Sequence, residues 1–443
     1  MDVTIKNIKL VPHPTARSQA ISTKKISAGS VVLSVPAFTS ALLEAEKGRR
    51  CDTCFRLPPD GEKLKKCTGC ASYFYCDTRC QKVQWDLEHK RVCKSYSLMI
   101  SYLHGQQFSQ HERMDVILLS HFLGRTVKTK PVPSADNPHD PFSVFLSLLP
   151  GSHASQRTLD SIPKSLILDD SLVQDIYSRF GNNNFTIHSH LNSIGHGVFP
   201  LASRLFNHSC IPNAAPRYVQ GSAQPVLMEV VALRDTDIGE EICIPYLDPA
   251  LTQSRSQIFQ YTYGFTCQCG PCRDISQLGQ IPKPPDSSET MSSLGDELRE
   301  YVGVSDVLGA ELPTPSLSDL PLGLRCALHE SYMEQLSEQF SKASHEGDYN
   351  TAFGCGRILL ALYLLIYPTN YPQIGLHLLE LAKTHWNALT TMETSGMGAE
   401  IRSQVRIFLS HANRILRIYG KEGDEYGPLD ELVKLDELLS ADT

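Results

Sequence analysis

Seven cysteines and one histidine are concentrated in residues 51–93, CDTCFRLPPDGEKLKKCTGCASYFYCDTRCQKVQWDLEHKRVC. Their spacing suits two tetrahedral zinc ions: Cys51-x2-Cys54-x12-Cys67-x2-Cys70-x5-Cys76-x3-Cys80-x8-His89-x3-Cys93. A segment this short buries too little apolar surface to offset its own chain entropy, so metal-ligand bonds must supply most of its folding free energy. The sequence therefore predicts a zinc finger.

The ligands can be divided between the two ions by interleaving the pairs. One zinc would then be held by Cys51, Cys54, Cys76 and Cys80, and the other by Cys67, Cys70, His89 and Cys93. A disulfide-rich secreted module is the alternative. It is disfavoured because Met1 to Leu10 lack the pattern of a signal peptide and because C-x2-C pairs in an intracellular chain favour metal.

Tyr75-Cys76 and Cys80-Gln81-x3-Trp85, which runs into His89, extend this pattern beyond the ligands. The whole segment closely resembles the MYND zinc finger, a protein-interaction module. The resemblance implies protein partners, including proline-rich peptides.

Composition indicates a soluble globular chain of two or three domains: 443 residues, 41% hydrophobic and 20% charged. The longest apolar run, 358–367, falls short of the roughly 20 residues needed to span a bilayer, so we expect no membrane anchor. The formal charge is −7, and the finger is close to neutral once its thiolates and zinc ions are counted. Nucleic acid is therefore not an expected partner.

A second group of polar residues lies in 206–214, FNHSCIPNA, which follows an Asn-rich stretch at 181–186. An amide, an imidazole, a hydroxyl and a thiol in a turn-forming segment suggest a site. Turn and N-cap chemistry is the plainer interpretation of the same residues, and it stays open at this point.

Two strand-like runs follow, 226–233 and 241–246, and the second ends at Tyr246. Residues 265–272, FTCQCGPC, then supply three closely spaced thiols, one fewer than a tetrahedral site needs. Cys210 is the candidate fourth ligand. The third predicted zinc set is thus Cys210, Cys267, Cys269 and Cys272.

The segment 207–213, the run Gly239-Glu240-Glu241 leading to Tyr246, and the cysteine tail together resemble the SET domain and its post-SET zinc loop. A finger within such a domain is typical of the SET-and-MYND family of protein lysine methyltransferases. The implied fold is α+β, a SET β-fold of small sheets with a pseudoknot, followed by an α-helical, tetratricopeptide-like domain. The predicted divisions are 1–50 (first SET part), 51–93 (finger), 94–180 (helical insert), 181–250 (SET core), 251–275 (post-SET loop), 276–320 (linker) and 321–443 (helical domain).

The resemblance also implies roles for individual residues. Tyr246 would orient the methyl group and the amine. Cofactor contacts fall on Asn183, Asn207, His208, Tyr263, Phe265 and Arg17, and the lysine channel on Phe185 and Thr186. The alternative for Tyr246 is core packing at a strand end, and for Tyr263 and Phe265 it is packing on the zinc loop.

One part of the sequence departs from the family pattern. Members usually begin the SET fold with a Gly-x-Gly turn near the methionine end of the cofactor, whereas residues 16–22 here are ARSQAIS. A position in it that required positive φ would cost of order 1 kcal/mol. Arg17 or Ser18 is then the candidate contact for the cofactor carboxylate.

Helical patterns dominate the C-terminal part, with apolar stripes in 359–367, 378–386 and 405–419, the last ending at Gly420. Residues 421–443 hold eight acids and two lysines. A solvated helix face is the favoured interpretation of this tail, and docking on a basic surface is the other.

The first functional hypothesis is a protein-lysine N-methyltransferase that uses S-adenosylmethionine, carries three zinc ions and acts on histone or non-histone proteins. The competing hypothesis is a non-catalytic scaffold in which finger and helical domain recruit partners. We expect a monomer in the nucleus, the cytoplasm or both.

Overall fold

The computed structural model describes residues 3–126, 140–151, 156–167, 169–391 and 398–441. Its architecture is α+β, as predicted. The thirteen strands in these ranges are β1 (Thr4–Ile5), β2 (Ile8–Val11), β3 (Gln19–Ser22), β4 (Val31–Pro36), β5 (Thr39–Leu42), β6 (Lys65–Lys66), β7 (Phe74–Tyr75), β8 (Asn184–Ser189), β9 (Asn192–Val198), β10 (Asn207–His208), β11 (Ala214–Val219), β12 (Leu227–Ala232) and β13 (Cys243–Ile244).

The same ranges contain fifteen α-helices and several shorter helical turns. The helices are α1 (Thr78–Gln84), α2 (Lys90–Gly105), α3 (Gln110–Thr126), α4 (Pro141–Leu146), α5 (Gln156–Asp160), α6 (Asp170–Phe180), α7 (Pro200–Leu205), α8 (Arg255–Ile258), α9 (Gly270–Leu278), α10 (Ser288–Val302), α11 (Glu330–Glu346), α12 (Tyr349–Ile366), α13 (Pro372–Thr391), α14 (Gly398–Tyr419) and α15 (Pro428–Ala441). Five-residue π-helical turns occupy Trp85–His89 and Phe259–Tyr263.

A four-stranded antiparallel sheet joins the chain on the two sides of the finger. Its order is β1-β4-β12-β11, with Val35 opposite Met228 and Ala215 opposite Val231. The central strands bury Val35, Met228 and Val231, because this sheet has helices or other strands against it. The finger is therefore an insertion between two strands of one sheet.

The remaining strands form smaller sheets. Strands β5, β9 and β8 form an antiparallel sheet, and β2 pairs with β3. Strands β10 and β13 pair in parallel, with Asn207 opposite Cys243. Two residues make a weak parallel pair, and the Asn213 side chain reinforces it by accepting from Cys243 N at 2.9 Å and donating to Glu241 O at 2.8 Å.

The π-helical turn at Trp85–His89 joins α1 to α2 without a break. Helix α2 connects the finger to a layer of helices. The predicted helical insert, 94–180, contains α3, α4, α5 and α6 and part of α2. Phe122, Phe142 and Phe145 form its aromatic core, with ring centroids of the Phe122–Phe145 pair 4.6 Å apart. Residues 127–139, 152–155 and 168 of this range lie outside the described part.

Helices α10 to α15 share one apolar core, as the three predicted stripes required. The predicted linker, 276–320, needs correction, since α10 lies inside it and buries Leu294 and Leu298 in that core. Residues 279–287 and 303–320 have the expected irregular backbone. The proline cluster at 282–285 suggested a linker, but the helix begins just after it, with Ser287 accepting from Thr290 N as the cap.

Helix α12 is long and apolar enough to cross a membrane by length and composition, and 61% of it is buried inside the structure. That burial is typical of a core helix. The absence of a membrane anchor stays a prediction.

Helix α14 ends where the sequence indicated, at Gly420, which has φ +83°. A Cβ at this position would lie 1.9 Å from Arg217 Nη1, so the glycine is also needed for close approach. Beyond it, the acidic tail is not simply solvated. Glu422 is buried and Asp424 contacts Arg50 of the segment leading into the finger. Helix α15 buries Leu432, Leu435 and Leu439 and leaves most of its charges outside.

Candidate active site and metal centres

Two groups of side chains in the finger converge as the spacing predicted. Cys51, Cys54, Cys76 and Cys80 form one group, and Cys67, Cys70, His89 and Cys93 form the other. Within each group the ligand atoms lie within 4.8 Å of one another. A zinc tetrahedron with Zn–S bonds of about 2.3 Å has edges of roughly 3.8 Å. The Sγ–Sγ distances of 3.7 Å for Cys54–Cys76 and 3.9 Å for Cys67–Cys93 fit that geometry.

The second group depends on the π-helical turn, which ends at His89 and aims its ring at the cysteines. His89 Nε2 lies 3.6 Å from Cys70 Sγ, and the ring packs against Tyr73 at a centroid distance of 4.1 Å. Burial lowers the pKa of His89 to about 3, so the imidazole is neutral and free to bind a metal.

A third group lies far from the finger and joins two distant segments. Cys210 follows β10, whereas Cys267, Cys269 and Cys272 lie at the start of α9. Cys210 Sγ is 3.5 Å from Cys272 Sγ, again close to a tetrahedral edge. All three donor sets therefore suit Zn²⁺, as predicted.

Tyr246 lies beside this third group, at the end of the segment that β13 begins. Its hydroxyl donates to Phe206 O at 2.7 Å, and its backbone N donates to His208 Nδ1 at 3.0 Å. Burial raises the pKa of Tyr246, so the hydroxyl keeps its proton at neutral pH and acts as a donor.

His208 connects Tyr246 to the zinc ligands. Burial is the main cause that lowers the pKa of His208, to about 4, so the ring is neutral. Because Nδ1 accepts from Tyr246 N, the proton lies on Nε2, which is 3.2 Å from Cys210 Sγ. His208 therefore donates to the predicted zinc ligand Cys210. Such a hydrogen bond fixes the orientation of a metal ligand.

Aromatic rings enclose Tyr246 on the remaining sides. Its ring centroid is 5.1 Å from that of Tyr263 and 6.5 Å from that of Phe265, and burial raises the pKa of Tyr263 to about 12. Phe259, which the sequence analysis did not single out, stacks on Phe265 at 5.1 Å and contacts His208 at 4.4 Å. The π-helical turn that carries Phe259 and Tyr263 ends at Gly264, and this puts both rings against the core.

Asn207 links three parts of the chain next to this aromatic cluster. Its amide donates to Ser18 O at 2.8 Å and to Glu241 Oε1 at 2.7 Å. Arg204, one turn earlier on α7, donates to Ser18 Oγ, and Arg17 donates to Ser147 O. Glu241 and Arg204 were not predicted as site residues: Glu241 served only as part of the run 239–241 that marks the SET domain, and Arg204 belongs to no recognisable motif.

The segment 16–22 that lacks glycine carries no residue with positive φ. The strain that a missing glycine could cause is therefore not present in this fold.

The remaining predicted residues lie on or just before β8. Phe185 contacts Phe199 with ring centroids 5.9 Å apart and packs on the same core as Tyr246. Thr186 is the next residue in the strand, so its side chain points to the opposite face, and the shared role of the two residues in a lysine channel stays a prediction. Asn183 donates to Arg179 O at 2.7 Å, which directs its amide toward α6.

Comparison with known proteins supports this assignment of the motifs. Residues 51–93 match the family model described as MYND finger. N-lysine methyltransferase SMYD2-A of Xenopus laevis is 29% identical over 309 residues, which cover 63% of this chain and 65% of that protein. Human N-lysine methyltransferase SMYD2 is 30% identical over 285 residues, 58% of this chain and 60% of that protein.

The chain resembles the SET-and-MYND family. Its match spans a little under two thirds of the length of these relatives. Among solved structures, the SET domain of LSMT bound to lysine and AdoHcy aligns over 99% of this chain and 88% of that one at 13% identity, with a TM-score of 0.29. In SET-and-MYND terms, the finger interrupts the SET sheet between β5 and β8, and the third zinc group is the post-SET loop.

Proposed function

We propose that this protein transfers a methyl group from S-adenosylmethionine to lysine side chains of histone or non-histone proteins. The observation that carries the proposal is the hydrogen bond from the Tyr246 hydroxyl to Phe206 O at 2.7 Å, inside an aromatic enclosure next to Asn207 and His208. A fixed hydroxyl and a main-chain carbonyl in a dry pocket are what alignment of an amine requires.

The enclosure also selects the reactive form of the substrate. Apolar walls disfavour an ammonium ion, so a lysine that enters beside Tyr246 and Tyr263 loses its proton more readily than in water. When bound, S-adenosylmethionine supplies the methyl group, whose bond to sulfur breaks as the lysine nitrogen lone pair forms the new N–C bond, leaving S-adenosylhomocysteine. Asn207, His208, Tyr263 and Phe265 are the residues of this chain that would hold it.

The test uses zinc-loaded protein, labelled S-adenosylmethionine and a lysine-rich protein mixture. Label should appear on lysine, and Tyr246→Phe should lower its rate of appearance roughly 100-fold, since one positioned donor is lost. Tyr426→Phe, which alters a tyrosine that is 82% exposed, is the matched control and should keep full activity. Equal rates for the two variants would contradict the assignment of Tyr246.

A scaffold without activity is the second candidate function. The segment 16–22 favours it, because it has no glycine where family members keep a Gly-x-Gly turn. If this candidate is right, S-adenosylmethionine will not bind at high micromolar concentration, while the finger still binds its peptide partners.

We further propose that the finger binds proline-rich peptides and that the protein acts as a monomer in the nucleus or cytoplasm. Trp85 supports the first proposal, since its half-buried indole lies beside the second zinc group and proline-rich segments dock on exposed aromatic rings. Titration of such a peptide into Trp386→Phe, in which Trp85 is the remaining tryptophan, should change the fluorescence. An unchanged spectrum at millimolar peptide would exclude this partner.

A further inference from the structure

Arg255 is a buried cation at the start of α8. It is 3% exposed, and its Nη1 donates to Pro249 O at 2.8 Å. Within the described ranges its Nη2 has no hydrogen-bond partner, and no carboxylate forms an ion pair with it. A buried guanidinium destabilises a fold unless a negative charge lies close to it. The negative charge near Arg255 therefore has to come from another kind of group.

The third zinc group supplies such a charge. A cavity of about 490 Å³ is lined by Arg255 and by two ligands of that group, Cys267 and Cys272, and none of the described residues that line it is an aspartate or a glutamate. Hydrogen bonds with Cys210 and Cys267 are the largest causes that lower the pKa of Cys272, and the nearby charge of Arg255 lowers it further. Four thiolates around one Zn²⁺ leave a net charge of about −2, so the centre and the guanidinium can compensate each other.

Arg255 differs from the other groups near these thiolates, because it carries a full charge in a place that water does not reach. His208 is neutral, and its Nε2 lies 3.2 Å from Cys210 Sγ. The N-terminus of α9 contributes only partial charges. Arg273 lines the same cavity, but it is exposed and donates to Gln268 O at 2.9 Å, so water screens its charge. Of the two arginines that line the cavity, Arg255 is therefore the one that water does not screen.

The same side chain connects the zinc group to the segment of Tyr246. Pro249, whose carbonyl accepts from Arg255, lies three residues after Tyr246. Helix α8 also runs without a break into the π-helical turn that carries Phe259 and Tyr263. Arg255 therefore belongs to the same helical segment as these enclosing rings and is bonded to the segment of Tyr246.

We propose that Arg255 is the counter-charge that keeps zinc in the third group. It is a positioning residue, since it is a ligand neither of the metal nor of the proposed substrates, and its role holds whether or not the protein transfers methyl groups. The guanidinium stabilises the thiolates, and partners of this kind outside the ligand set raise the affinity of a metal site. The zinc–thiolate centre in turn stabilises the buried charge of Arg255.

The test measures the affinity of each zinc ion by competition with a chelator, starting from protein that holds three ions. Arg255→Gln keeps a donor for Pro249 O and removes the charge, so the affinity for one ion should fall roughly 10- to 100-fold, while the affinities for the two finger ions stay unchanged. Arg255→Lys keeps the charge and should recover part of the loss. Alkylation of the freed thiols, followed by mass spectrometry, should place the released ion at Cys267, Cys269 and Cys272.

Arg273→Gln is the matched control. It removes an exposed arginine from the same cavity and should leave all three affinities unchanged.

A second measurement separates charge from packing. Arg255→Gln is also made in Cys272→Ala protein, in which the third group lacks a ligand, and the midpoint of thermal unfolding is compared. There the change should cost less than in the unaltered protein, or raise the midpoint, because the buried guanidinium has already lost its thiolate partners.

Three results would overturn the inference: unchanged zinc affinity in Arg255→Gln, an equal loss of affinity for all three ions, and an equal loss of thermal stability in both backgrounds. If Arg255→Gln does not fold, Arg255→Lys takes its place in the zinc measurement, since an ammonium group of different shape should weaken the third ion alone.

Discussion

Arg50, the residue before the first finger cysteine, pairs with Asp424, 374 positions later. Both side chains are nearly buried, at 10% and 11% exposure. Arg50 also donates to Glu46 Oε2 at 2.7 Å and to Phe55 O at 3.0 Å, and Asp424 accepts from Ser189 Oγ at 2.8 Å. The entrance to the finger, the end of β8 and the segment after α14 are therefore held together at one point.

Removing the Asp424 carboxyl should lower the stability of the fold. Asp424→Ala removes one of the two carboxylates that the nearly buried Arg50 guanidinium contacts and the acceptor of Ser189 Oγ, so we expect a loss of about 2 kcal/mol in the free energy of unfolding. Glu425→Ala, which removes a carboxyl that is 75% exposed and pairs with Arg56, should cost less than about 0.5 kcal/mol. Urea unfolding at pH 7 measures the free energy of unfolding of both variants. Similar losses in the two would contradict the stabilising role of the contact between Arg50 and Asp424.

The neighbouring Glu422 predicts a pH effect. Its carboxyl is buried and accepts from Leu191 N at 2.7 Å and Tyr419 Oη at 2.8 Å, and burial raises its pKa above the usual 4.5. A raised pKa means that its contribution to stability is full below pH 4.5 and declines as the pH rises through the folded-state pKa.

Glu422→Gln keeps an oxygen for Leu191 N and removes the titration. The stability of the variant relative to the unaltered protein should therefore rise as the pH increases from 4.5 toward neutrality, as measured by thermal unfolding over that range. Glu425→Gln is the exposed control. A difference that stays constant with pH would show that Glu422 does not titrate in this way.

Gly69 is required by the second zinc group. A Cβ at this position would lie 2.7 Å from Cys93 Sγ, closer than a carbon and a sulfur can approach. Gly69→Ala should therefore lower the zinc content from three ions to two, as measured by elemental analysis. Gly105→Ala should keep all three, since no atom lies within 4 Å of its added methyl group.

Cys210 and Cys243 form a matched pair of cysteines in the SET core. Cys210 belongs to the third zinc group, whereas Cys243 lies outside all three. We expect Cys210→Ala to lose one zinc ion and most of the methyl transfer, because His208 and the post-SET rings lose their anchor. Cys243→Ala should keep three ions and most activity, and loss of zinc from it would contradict the assigned ligand set.

The two metal groups of the finger were predictable because their ligands follow short spacings, and the third because three clustered thiols need a fourth ligand, for which Cys210 was the candidate. The positions of the apolar helical stripes were also predictable. The helical period of apolar residues and a terminal glycine such as Gly420 are both local features of the sequence. The helix at Ser288–Val302 was missed because the prolines before it dominated the composition.

Hydrogen bonds and ion pairs between distant segments could not be predicted where no motif marks either partner. Nothing near Arg204 in the sequence indicates that it reaches Ser18, nothing near Glu241 indicates that it accepts from Asn207, and nothing near Asp424 indicates that it pairs with Arg50. Phe185 and Thr186 were assigned to one channel from a motif, and the motif does not indicate that their strand turns the two side chains to opposite faces.

The pairing of β4 with β12 also determines the order in which the sheet and the zinc sites can form during synthesis. Met228 leaves the ribosome roughly 190 residues after Val35, a delay of about 10 to 40 s at 5 to 20 residues per second. The finger emerges during this interval with all eight of its ligands between Cys51 and Cys93. It can take up its zinc while β4 still lacks its partner, whereas the third group must wait for Cys272. Metal loading of the nascent chain is therefore divided in time, with two ions bound before the sheet closes and the third afterwards.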